Sequence, residues 1–300
     1  MAGIEWGDIQ GNILRGYGFD HARHLVLSVA SPVEAREWLA SQVPAITPAT
    51  PWTVRPETTL NIAFTHRGLA AFGVGPELLA TFPTDFQEGM RVRAADHLGD
   101  VGPDSPGGWE PCGVHDPAAH VLVMVYAASA ERADAAADDA RRTATASGLE
   151  LISTERLANL IPEPGRYPGP APPIRRMEHF GFADGISQPA VDGAVEPTIV
   201  RGNGTPLDDG GWRTVQPGEF VLGYRDEEEA APPLPSPRAL VANGSFLVYR
   251  KLAQDVAAFR RMLTDQAARH QIDPVLLGAK LVGRRADGTP FRLADAGSSA

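Results

Sequence analysis

The stretch EHFGFADGISQP, Glu178 to Pro189, sets Asp184 between Ala183 and Gly185 in a glycine-spaced run. Two readings of that acid stand side by side. Asp-Gly is a standard turn dipeptide, and an aspartate there can cap its own backbone. The second reading is an acid–base group at the mouth of a pocket. On a strand, Phe180 and Phe182 would lie on one side and desolvate the carboxylate, raising its pKa above about 3.9. Backbone N–H donors at the turn would pull it back down. An acid held this way can carry a proton between two atoms of a small substrate.

Other residues with chemical potential are fewer. His270 closes the segment ARHQIDP, where a cation at a helix C-terminus suits the helix dipole; it is also a candidate metal ligand. His179 adjoins Asp184, and packing or hydrogen bonding accounts for it. Cys112, His115, Asp116 and His120 crowd into CGVHDPAAH, a set with zinc-ligand chemistry but without a recognised zinc spacing. There is no GxSxG elbow, no GxxxxGK[ST] phosphate loop, and GNGTP at Gly202 lacks the third glycine of a dinucleotide fingerprint. The acids at Asp208 and from Asp226 to Glu229 read as solvated loops.

The elements that would position these residues follow a pattern. His24–Ala30 reads as a strand, and Ser31-Pro32-Val33-Glu34 as a capping box that starts a helix at once. Thr58–Thr65 is a second strand, followed by a short helix from Arg67 to Gly75. His120–Ala127 is a third strand, Ser129 caps an alanine-rich helix ending near Gly148, and LELISTERL is a fourth strand. This β-α-β, β-α-β order is the split βαβ, ferredoxin-like arrangement. The segment between Gly75 and Ala119 is a long insertion, functional or covering. IPEPGRYPGPAPP, residues 161–173, is a stiff connector and the expected domain boundary, so the expected domains are 1–160 and 174–300. Beyond it, HFGF, GEFVLGY and GSFLVYR read as strands. Leu252, Val256, Phe259 and Leu263 give the following helix one apolar face. The fold class expected is α+β, two ferredoxin-like halves with antiparallel sheets, the second incomplete.

The bulk properties narrow the partners. The chain has 300 residues, 43% of them hydrophobic and 21% charged, enough for a sizeable core. Its formal charge of −10 argues against nucleic acid or an anionic membrane surface as partner. The single cysteine, Cys112, forbids an internal disulfide and is the usage of a reducing compartment. MAGIEWGDIQGN has neither the basic nor the apolar part of a signal peptide, and no apolar run approaches membrane length. A cytoplasmic protein is expected.

Several blocks occur together in one order: DIQGNILRGYG from Asp8 to Gly18, GFADG followed by ISQP, and NGSFLVYRKLAQDVAAF. Over residues 8 to about 284 the chain resembles the dye-decolorizing (DyP-type) haem peroxidases. The resemblance implies two ferredoxin-like halves with haem b held in the second. It implies that Asp184, on the distal side, takes a proton from the hydroperoxide and returns it to the departing oxygen. Gly185, Ile186 and Ser187 match the backbone that lies along the haem. Hydrogen peroxide and phenolic or dye-like donors are the substrates implied. The family's iron-ligating histidine and distal arginine lie downstream of the helix that ends near His270. Neither has a counterpart up to Ala300, so the C-terminal part of the second domain is expected to be missing. A second, complementing polypeptide would supply it, or the gene model is cut short; a homo-oligomer is the other partner expected. The alternative expectation is a haem-free module that binds partners through its incomplete second sheet.

Overall fold

A computed structural model describes residues 3–161, 176–185, 191–193, 207–208, 213–230 and 232–291. The Pro-rich connector lies outside the described residues except for Ile161. Two compact units emerge, one of residues 1–158 and 188–249, the other of 159–187 and 250–300. Residues 188–249 thus group with the N-terminal part, where the sequence places a boundary at the connector.

The first unit is built on one antiparallel sheet of β1 (His21–Val29), β2 (Thr58–Phe64), β3 (Val121–Ala127) and β4 (Leu149–Ala158), in the order β2-β3-β1-β4. That order is the ferredoxin-like one, as expected. Helix α1 (Gly11–Leu14) precedes β1, and α2 (Pro32–Gln42) follows it. Helix α3 (His66–Ala71) follows β2, and the insertion beyond it supplies α4 (Pro76–Leu79) and α5 (Thr84–Val92, broken at Gly89). Helix α6 (Ala130–Thr145) joins β3 to β4.

Period-two alternation assigns the faces. Leu25, Leu27, Val121, Val123 and Val125 pack against Ala35 and Trp38 of α2 and Ala137, Ala140 and Ala144 of α6. Alanines on α6 let that helix approach the strands closely. Val26, Leu122 and Met124 point the other way, with Ala63, Tyr126 and Tyr249 around them. The sheet is therefore buried on both faces at β1 and β3, which is why these strands read as continuous apolar runs.

Local signals are met unevenly. Ser129 caps α6 by accepting the Arg132 N–H at 3.3 Å. The capping box at Ser31 does not form, for its hydroxyl makes no cap bond. Instead the N–H groups of Ala30 and Ser31 both donate to the Gly148 carbonyl at 2.9 Å, tying the start of α2 to the end of the α6 turn. At Gly68 in α3 an added Cβ would lie 2.0 Å from the His120 carbonyl oxygen, so only glycine lets α3 approach the start of β3.

The N-terminal motif has a structural task. The Gln10 side chain donates to the Ile62 carbonyl at 2.8 Å and accepts the Ile62 N–H at 2.9 Å, standing in for a neighbouring strand along β2. Tyr17 donates to Asn61 at 2.8 Å, and Asn61 in turn donates to Gln10 and to the Thr47 carbonyl. Burial pushes the Tyr17 hydroxyl up to about 12.

Beyond residue 160 the described residues form no strand ladder, only isolated bridges. HFGF folds as a turn, a 3₁₀ turn occupies Pro217–Glu219, and the expected GSFLVYR strand, residues 244–250, has no ladder partner among the described residues. Strand composition expresses itself as a strand only beside a partner. Helix α7 (Arg238–Val241) is a single turn in the first unit. The second unit holds α8 (Val256–His270) and α9 (Pro274–Val282). Helix α8 begins at Val256 because Asp255 caps it, accepting the Ala258 N–H at 2.7 Å; Leu252 lies outside it and is exposed. Helix α9 is capped by Asp273 and stopped by Gly283 in the left-handed region.

Candidate functional site

Asp184 lies in the second unit, at the end of a narrow hairpin. Its N–H donates to the Arg176 carbonyl at 3.0 Å, Met177 bridges Ala183, and the Glu178 N–H donates to the Phe182 carbonyl at 3.0 Å. The Gly181 N–H closes the loop on the Glu178 carbonyl at 3.1 Å. Two further bonds hold the outside of the stem. The Met177 N–H donates to the Leu160 carbonyl, and the Ala183 N–H to the Ala286 carbonyl, both at 2.9 Å.

The interior of the loop is filled by a carboxylate that the sequence reading passed over. Glu178 accepts the Phe180 N–H at 2.7 Å on Oε2 and the Phe182 N–H at 2.8 Å on Oε1. Gln254 Nε2 adds a third donor to Oε2 at 3.2 Å. Two short bonds from backbone to an ionised acceptor are stronger than neutral ones. The only signal available beforehand was an acid four residues ahead of Phe182 in a glycine-containing segment, and backbone N–H groups do not appear in side-chain composition.

The phenylalanines do not desolvate Asp184 in the way expected. Because residues 178–182 turn rather than run as a strand, alternation does not apply to them. Phe180 and Phe182 instead face Phe259 of α8, with ring centroids at 4.5 and 6.4 Å. Phe182 is buried, and an added Cβ on Gly278 of α9 would come within 3.2 Å of its Cζ. The two rings thus bind the hairpin to the pair of helices, while Asp184 itself is exposed. Its Oδ1 accepts the Gly185 N–H at 2.7 Å, the self-capped turn of the first reading. Oδ2 has no hydrogen-bond partner among the described residues.

Gly185 has φ +68°, a left-handed conformation that favours glycine. An added Cβ would meet only Arg176 Cδ, at 4.0 Å. Among the described residues nothing else approaches that position within 4 Å. Ile186 and Ser187 lie outside the described residues. Among the described residues of this unit the two histidines, His179 and His270, are both exposed, with His270 the last residue of α8. No buried imidazole is found among those residues.

The cysteine–histidine cluster of the insertion does not converge. His120 Nδ1 accepts the Val29 N–H at 2.8 Å, Cys112 is exposed, and the His115 ring meets Trp109 edge-on at 5.1 Å. Burial lowers the pKa of His120 and of His115, with nearby arginines adding to it. Among the described residues no group of three or more histidine, cysteine or acidic side chains is placed to hold a metal ion.

Residues 8–155, the part that holds the ferredoxin-like sheet, match the family model of the DyP dimeric alpha+beta barrel domain. Over 97% of its length the chain is 33% identical to a dye-decolorizing peroxidase of Mycena epipterygia. The chain belongs to the dye-decolorizing peroxidase family. A second family member, from Mycetinis scorodonius, is 28% identical over 97% of the chain. The crystal structure of a decolorizing peroxidase from Auricularia auricula-judae superposes with a TM-score of 0.73 at 26% identity, covering 97% of this chain and 59% of that one. An ancestral D-type dye-decolorizing peroxidase superposes equally well, at 28% identity, with 96% and 60% covered. The chain spans about half the length of the curated relatives it matches, 50% and 53% for the first two. The family likeness covers both the Gln10 motif and the Asp184 hairpin.

Proposed function

We propose that the protein is a DyP-type peroxidase component that uses hydrogen peroxide to oxidise phenolic or dye-like donors, with haem b as cofactor. The observation that carries this reading is the Asp184 hairpin in a chain of this family: an acid with one oxygen held by its own turn and the other without a partner among the described residues, followed by a glycine in the left-handed region. Haem b, when bound, would supply the iron at which peroxide is reduced and to which the donors return electrons. Gly185, with Ile186 and Ser187 after it, would lie along that group. Asp184 Oδ2 would accept the proton of the incoming hydroperoxide. The same carboxyl group would then return it to the departing oxygen, which leaves as water rather than as hydroxide. The Gly185 N–H keeps Oδ1 in place during both transfers, so the acid need not reorient.

Hydrogen peroxide and small aromatic reductants are the substrates of this reading. The single cysteine fits a reducing compartment, and we take the cytoplasm as the site of action. No described helix is long and apolar enough to cross a membrane. A second reading, a haem-free interaction module, draws on the exposed apolar side chains of Phe246, Leu247 and Val248, in a segment with no ladder partner among the described residues. A homo-oligomer or a complementing chain would cover them.

Titration of the purified chain with haemin separates the two. The peroxidase reading expects saturable uptake with a Soret band and peroxide-dependent oxidation of an anthraquinone dye. Asp184→Asn should keep the band and lose at least a hundredfold in kcat/KM for peroxide, the scale of general acid–base catalysis. No saturable uptake, together with concentration-dependent light scattering, would favour the interaction module.

A further inference from the structure

We infer that Glu178 is a positioning residue for the acid: its carboxylate fixes the loop whose stem carries Asp184. This rests on the peroxidase reading above and adds to it a residue that touches neither the substrate nor the cofactor.

The argument is geometric. Asp184 leaves the hairpin at the last bonded pair of the stem, its N–H on the Arg176 carbonyl at 3.0 Å. The direction of its side chain therefore depends on the register of that stem. Register in so short a hairpin is set by its loop. The loop here runs Glu178–Phe182, and its backbone makes two closing bonds of its own. The N–H groups of Phe180 and Phe182 have no carbonyl partner in the hairpin. Both are satisfied by the Glu178 carboxylate, one on each oxygen, at 2.7 and 2.8 Å. Left unsatisfied in a half-buried loop, each would favour a looser conformation that reaches water.

The chemistry selects glutamate in particular. Two backbone donors converge on one side chain, so it must offer an acceptor on each of two atoms. An ionised carboxylate does so; a glutamine offers one oxygen and turns an NH₂ donor toward the other N–H. Gln254 completes the arrangement, its NH₂ donating to Oε2 at 3.2 Å and tying the loop to the segment just ahead of α8. The rings of Phe180 and Phe182 leave the loop on the same side, toward Phe259. Thus one carboxylate holds the two amides whose side chains fasten the hairpin to α8, and the stem beyond carries the acid.

The test compares the full-length wild-type chain with Glu178→Gln, first by amide hydrogen exchange without haem, then by peroxidase kinetics with it. The expected result is exchange at Phe180 and Phe182 at least tenfold faster in E178Q. With haem, kcat/KM for peroxide should fall at least tenfold, while KM for the dye and the Soret band stay as in wild type. That split marks positioning of the proton-transfer group, since a general loss of structure would move donor binding and haem uptake as well. Unchanged exchange overturns the inference whatever the kinetics, and faster exchange with unaltered peroxide kinetics overturns the positioning role. A wild-type chain that takes up no haem defeats the peroxidase reading instead, and the exchange arm still decides whether Glu178 holds the loop. Should E178Q fail to fold, Gln254→Leu keeps the carboxylate and both backbone bonds. It should shift exchange and peroxide kinetics in the same direction by a smaller factor, and an unchanged result there overturns the inference.

Discussion

His24 sits on β1 with 6% of its surface exposed, its Nδ1 3.1 Å from the Tyr249 hydroxyl and its Nε2 buried without a hydrogen-bond partner. Burial lowers its pKa from 6.5 to about 4. The unfolded chain therefore takes up a proton at this position between those values while the folded one does not. Stability contributed by the neutral ring is whole above about pH 6.5 and falls as the pH drops toward 4, by roughly 3 kcal/mol in all. Urea midpoints at pH 7 and pH 4.5 should differ more for the wild type than for His24→Gln, which has no group to titrate there. Equal differences in the two proteins would show that the ring is accessible to protons in the fold. At this scale Asp184 was legible in the sequence, because a motif of adjacent side chains carries it. Glu178 was not, since its partners are main-chain N–H groups that exist in every sequence.

Helices α8 and α9 meet at Gly278, where an added Cβ would stand 3.2 Å from Phe182 Cζ and 3.6 Å from Leu263 Cδ1. The absence of a side chain there lets the hairpin ring enter between the two helices. Gly278→Leu should overpack the contact at a cost of about 1–3 kcal/mol, read as a lowered midpoint. It should also speed amide exchange in residues 177–183, because the displaced ring belongs to the hairpin. A destabilised protein whose hairpin amides keep their protection would mean that the ring does not anchor it. The elements of the first sheet could be located from sequence by their apolar runs and by the glycines and caps between them. The stretch GSFLVYR has a similar composition to those strands and forms no ladder among the described residues. Its β-forming side chains describe what it would do beside a partner, and composition does not report whether one is there. Helix α9 carried its own signals in Asp273-Pro274 and Gly283, hidden by the polar residues that follow.

For the molecule as a whole, a charge of −10 and an exposed apolar run pull in opposite directions. Val248 is 75% exposed and Leu247 52%, next to Phe246 at 40%. A short uncharged apolar segment of this kind, with no ladder partner among the described residues, favours association between copies. Val248→Lys should reduce the light scattered across a concentration series at neutral pH and leave the thermal midpoint within about 0.5 kcal/mol of wild type. Unaltered scattering would remove this segment as the cause of self-association.

The amide of Gln10, bonded both ways to Ile62, has a bearing on how the sheet can grow. It plugs the outer flank of β2 with a short prosthesis of main chain. An invading peptide would have to evict it before adding a rung on that side. Growth of the sheet along β2 therefore begins with the loss of both Ile62 bonds.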